Sequence, residues 1–183
     1  MISDRTKVGK KISPKQFAAH LKKQKRRTLK LKLASLDRLI TYPARRRAYD
    51  SSKWYLAEVR PSEIGVWSRA GGLPSLWTNG SLAETAKRVQ RALEQKGPRA
   101  LRARARYAIP GILHSSILEI PKEKYLSPII LKGDTGTRGR RSFKRKMSGF
   151  TDDGSMRSIA LAMSGAKTIR VYIGIPKKEV VRK

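Results

Sequence analysis

The sequence predicts an α+β fold: long amphipathic helices packed on a small antiparallel sheet, with an extended basic N-terminal segment and a basic loop outside the packed body. Three observations predict it. Apolar residues recur at helical spacing in two stretches, strand-like runs rich in β-branched and aromatic residues lie between and after them, and many cations gather where no apolar period exists. At 183 residues, 39% of them hydrophobic, the chain can bury one core. We divide it into a basic arm and helix over residues 1–49 and an α+β core over 50–183, the latter carrying a basic loop over 133–149.

The first helix is signalled by Ser13-Pro14-Lys15-Gln16, which offers Ser as N-cap, Pro at the first helical position and Gln three residues after the cap. Phe17 and Leu21, then Leu29, Leu33, Leu36 and Ile40, supply its apolar face, and Pro43 ends it. Trp54 to Val59 and Ile64 to Trp67 read as two strands joined at Arg60-Pro61-Ser62-Glu63 into a hairpin. Gly71-Gly72-Leu73-Pro74 is a turn, and Ser81-Leu82-Ala83-Glu84 is a second capping box. Leu82, Ala86, Val89 and Leu93 continue that helix, Gly97-Pro98 breaks it, and residues 99–109 resume it as far as Pro110-Gly111. Residues 112–120 and 127–132 are further strand candidates. The best strand pair is 158–163 with 168–174, turning at Ser164-Gly165-Ala166-Lys167.

Charge is the dominant compositional fact: 43 Lys and Arg against 13 Asp and Glu give a net +30. Residues 1–49 hold 16 of the cations and 2 of the anions, whereas residues 50–86 hold 3 and 4. Such an excess opposes compaction unless an outside polyanion compensates it, and nucleic acid is the polyanion that does so at high charge density. The expected contacts are Lys22, Lys23, Lys25, Arg26 and Arg27; Arg45, Arg46 and Arg47; Arg102, Arg104 and Arg106 on the outward face of the resumed helix; and Arg138, Arg140, Arg141, Lys144, Arg145 and Lys146 in the loop. Arg suits bidentate phosphate contact and Lys acts as a point charge, so these runs would position a backbone without reading its sequence. A solvated helix face explains single lysines but not separate clusters. Trp54, Tyr55, Trp67 and Trp77 could stack on bases, but their mixture with aliphatics favours core packing or a subunit contact.

Catalytic constellations are sparse. With no cysteine there is no disulfide, thiolate ligand or thiol nucleophile. His20 and His114 stand in separate segments; the first reads as a surface residue and the second as a half-buried one in a strand. Gly133, Gly136 and Gly139 lack the spacing and the following Gly-Lys-Ser/Thr of a phosphate loop. Asp152-Asp153 could hold a metal, but two carboxylates before a Gly are an ordinary turn composition. We therefore expect no enzyme activity, no cofactor and no metal. No apolar run is long enough to span a bilayer, and no membrane partner is expected.

One stretch carries a family likeness. The helix from Leu82 to about Ile109 is followed by Asp153-Gly154-Ser155-Met156-Arg157-Ser158-Ile159 and then by Ile169-Arg170-Val171-Tyr172-Ile173-Gly174. This resembles the small neck and tail-completion proteins of long-tailed bacteriophages, over about residues 82–175. In that family a helix precedes a Thr-Gly-x-Leu-Arg-x-Ser-Ile-like element and a hairpin ending in Val-Gly or Ile-Gly. This chain has Asp153 in place of the Thr, a shorter spacing from Arg to Ser-Ile, and some 45 residues inserted after the helix. The resemblance implies a virion subunit at the head–tail junction, assembled as a homo-oligomeric ring, commonly a hexamer, with other neck or tail proteins and DNA as neighbours. The alternative is an RNA-binding structural component of a ribonucleoprotein, with basic arms threaded into folded RNA.

Overall fold

A computed structural model of the chain describes residues 7–12, 52–66, 69–114, 127–131, 147 and 149–176. The helix expected from Ser13 and the clusters over residues 22–27, 45–47 and 138–146 lie outside the described residues, as do His20 and Trp67. The described part is α+β. Its strands are β1 (Lys7–Ile12), β2 (Ser52–Val59), β3 (Ile64–Gly65), β4 (Ser127–Leu131), β5 (Gly149–Thr151) and β6 (Ile169–Pro176). Its helices are α1 (Leu82–Lys96), α2 (Ala103–Leu113) and α3 (Ser155–Met163). β1 falls within the segment read as an arm, and Gly149 belongs to β5 rather than to the basic loop.

The strands form one sheet in the order β1-β2-β6-β4-β5-β3. β1 with β2, β2 with β6 and β4 with β5 pair antiparallel, while β4 with β6 and β3 with β5 pair parallel. The expected hairpin around residues 60–63 is therefore absent. Both edges of β2 are taken by β1 and β6, and the pairings make β2 and β3 run the same way. Instead, residues 60–63 form a turn, with Glu63 N–H donating to the Arg60 carbonyl at 2.9 Å and the Arg60 guanidinium paired to the Glu63 carboxylate. Four strand spacings separate β2 from β3, about 19 Å on a flat sheet. Five chain steps from Val59 to Ile64 reach about 17 Å at most. The sheet must therefore coil, bringing its β3 edge back toward the end of β2.

The second expected hairpin is also corrected, because residues 155–163 are helical. Met156, Ile159 and Ala160 are buried at a spacing of three and four, the helical stripe, so the strand expected over residues 158–163 is a helix. β6 finds its partners in β2 and β4 instead. Nor does residue 112 begin a strand: Ile112 and Leu113 close α2, which starts at Ala103 and runs through Pro110. Burial of Ile109 before the proline and packing of Ile112 and Leu113 after it hold the turn despite the missing N–H.

α1 forms where the capping box places it. Ser81 Oγ accepts from Glu84 N–H at 3.1 Å, and the Glu84 carboxylate accepts from Ser81 N–H at 2.7 Å. Such a cap contributes about 1 kcal/mol. Leu82, Ala86 and Val89 are buried, Leu93 packs partly buried beside them, and Gly97-Pro98 passes into a 3-10 turn. The three helices share one core with Ala57 and Val59 of β2 and with Ile169, Val171 and Ile173 of β6.

A tight crossing fixes α2 to the loop before α1. Gly72 has φ +88°, and a Cβ there would lie 2.5 Å from the Ala103 Cβ, while Ala103 itself has φ +46°. A side chain at position 72 meets both a left-handed backbone and a steric wall, so Gly72→Ala is expected to destabilise by about 2–4 kcal/mol. Ala103→Gly removes the wall and suits its own backbone, so in the Gly72→Ala background it should restore at least about 1 kcal/mol. Urea unfolding of the two single variants and the double variant checks this; strictly additive energies would show that the two positions do not oppose each other.

Candidate nucleic-acid interface

The described residues are themselves basic, with 17 Lys and Arg against 6 Asp and Glu. Eight of those cations fall between residues 87 and 106, along α1, the 3-10 turn and α2, with Glu94 the single acidic residue among them. Lys87 and Arg91 are exposed one turn apart on α1, opposite the buried stripe of Leu82, Ala86 and Val89. Lys96, Arg99, Arg102 and Arg104 continue the exposed run through the turn and into α2. We call these six side chains the basic ridge.

Two arginines in the same stretch are used internally. Arg88 donates to the Leu76 carbonyl, to the Trp77 carbonyl at 3.2 Å and to Asn79 Oδ1 at 3.1 Å, which pins the loop before α1. Thr85 Oγ1 adds a bond to the Trp77 carbonyl at 2.9 Å. Arg106, expected to face outward with Arg102 and Arg104, is half-buried and turns back, its Nε donating to the Leu101 carbonyl at 2.9 Å. Local geometry explains the split: Arg102 is the extended residue that precedes α2, outside the helix, while Arg104 and Arg106 lie about 200° apart around its axis and so cannot share a face. Of the expected contacts, Arg102 and Arg104 are exposed and belong to the ridge. Lys87, Arg91, Lys96 and Arg99 were missed because they are spaced singly along an amphipathic helix and its end; only their position opposite an apolar stripe signals them.

The aromatic residues divide similarly. Trp54 is 1% exposed and so offers no ring face for a base, and Trp77 is half-buried and packed against the core. Tyr55 is half-buried opposite Ile173. His114 caps the end of α2 and is exposed, not half-buried in a strand.

Asp152 and Asp153 lie in the bend between β5 and α3, Asp152 buried and Asp153 half-buried, where Thr151 Oγ1 and Ser155 Oγ are hydrogen-bonded at 2.9 Å. Among the described residues no group of three or more His, Asp or Glu could hold a metal ion. No helix among them is long and apolar enough to cross a membrane. The chemistry this surface can perform is attraction of phosphate by exposed cations, strongest at low ionic strength. Comparison with family models, with curated proteins and with solved structures finds no match to this chain.

Proposed function

We propose that the chain is a non-enzymatic structural subunit that binds nucleic acid through its phosphates. The observation that carries this reading is the basic ridge. Six exposed cations follow one another on a packed helical layer with a single acidic residue among them, and the runs at residues 22–27, 45–47 and 138–146 add to the same excess. A packed helix layer holds such charges at fixed spacing, which suits a backbone of regularly spaced phosphates. Within this reading, the sequence resemblance over residues 82–175 supports a ring subunit at the head–tail junction of a tailed-phage virion, with DNA and other neck or tail proteins as neighbours.

The test is the affinity for generic duplex DNA as salt is raised. A protein making several phosphate contacts should lose on the order of 10³–10⁵-fold between about 50 and 200 mM salt. Replacing Arg138, Arg140, Arg141, Lys144, Arg145 and Lys146 by Gln should make that loss shallower, and an unaltered slope would remove the loop from the interface. A native mass of the assembled protein then separates the finer readings: a closed ring supports the neck subunit, whereas a single copy bound to folded RNA supports a ribonucleoprotein. A monomer that binds no nucleic acid in dilute buffer overturns the proposal.

A further inference from the structure

The outer face of α2 carries a feature that phosphate attraction does not explain. Tyr107 is 75% exposed, and it and Leu76 are the large hydrophobic side chains most open to water among the described residues. Ala105 and Ile109, on the other side of the same helix, are fully buried, so the orientation of Tyr107 is set by the packing of α2 and not by a free loop. At about 100° per residue, Arg104, Tyr107, Gly111 and His114 fall within one stripe about 80° wide. All four are exposed, and a Cβ at Gly111 would have nothing within 4 Å, which leaves the surface one turn beyond Tyr107 open.

We infer that Tyr107 is a stacking platform for an unpaired base of a single strand whose phosphates lie on the basic ridge; this rests on the nucleic-acid reading above. An aromatic ring gains little by standing in water, and a base laid on it is stabilised whatever its identity, because every base has a π-face. Arg104, one turn before Tyr107 on the same stripe, supplies the adjoining positive charge. Gly111 gives the flat approach that a longer side chain would obstruct. A duplex hides its base faces and would use the ridge alone. A protein partner would call for a contiguous apolar patch, and the rest of this stripe is Arg, Gly and His.

The experiment uses the full chain with three probes of equal length: an oligo-thymidine strand, the same strand with abasic sugars, and a duplex. Tyr107→Ala should weaken the oligo-thymidine strand about tenfold and leave the abasic strand and the duplex unchanged, while Tyr107→Trp should keep full affinity. Tyr107 is exposed, so the variants should melt with the parent, and the comparison among probes does not depend on that. An equal loss on all three probes, or no loss on the thymidine strand, overturns the platform while the phosphate reading stands. A changed oligomeric state with unchanged affinity overturns it in favour of a protein contact. Failure of the unmodified chain to bind any of the three overturns the phosphate reading itself.

Discussion

Replacing Trp54 by Ala is expected to destabilise the protein by about 3–5 kcal/mol, the range for deleting a buried aromatic side chain. The indole is 1% exposed and lies over its cross-strand partner Gly174. A Cβ at Gly174 would sit 2.8, 2.9 and 3.0 Å from three atoms of the six-membered ring. Position 174 is thus glycine for space, since any side chain would push a rigid ring out of a filled site. Gly174→Val should cost about 1–3 kcal/mol by overpacking. The two losses should not add, because valine at 174 grows into the volume that Trp54→Ala vacates, and the double variant should recover about 1–2 kcal/mol of the sum. Thermal unfolding followed by circular dichroism reads this directly, at roughly 2–4 °C per kcal/mol for a chain of this size. Trp54→Ala within about 0.5 kcal/mol of the parent, a change typical of a surface site, would sink the assignment of the ring to the core.

The same pair shows what the sequence conveys and where it falls silent. That residues 52–59 and 169–176 are strands is legible from their β-branched and aromatic content, and the Ser81 capping box with Leu82, Ala86 and Val89 locates α1 at its observed first residue. That Trp54 faces Gly174 is not legible, because it depends on register between strands more than a hundred residues apart. Both hairpins failed for a related reason. Alternation says that a segment has a strand's two faces but not which edge it pairs with, and β2 and β6 each have two partners distant in the chain. For α3 the segment is too short for its period to decide: in nine residues rich in Ala, Leu and Met, both a period of two and a helical stripe can be drawn, and helix propensity with packing against α1 and α2 selected the stripe. The candidate site was legible as charge but not as geometry. Contiguous runs of arginine are obvious in the chain, whereas separating Arg102 and Arg104, in the open, from Arg106 on the Leu101 carbonyl required knowing where α2 begins and what lies beside its first turn.

The basic ridge makes the second prediction with a large effect. Changing Lys87, Arg91, Lys96, Arg99, Arg102 and Arg104 to Gln should lower the slope of log affinity against log salt by about 3 to 5, since each lost phosphate contact removes about 0.9. Arg88 and Arg106 must stay, because they hold the carbonyls of Leu76, Trp77 and Leu101 and their loss would be felt as instability. The six substitutions should leave the melting temperature level or raise it. Like charges on one surface repel and oppose folding, and against this stand the placement of Lys96 in the last turn of α1, about 0.3–1 kcal/mol, that of Arg99 in the last turn of the 3-10 helix, and the spacing of Arg91 three residues before Glu94, about 0.2–0.5 kcal/mol. A weaker grip on DNA in a protein at least as stable separates an interface from a structural role. If affinity instead fell equally at every salt concentration, the six side chains would be acting through the fold, and phosphate would have to be held elsewhere on the chain.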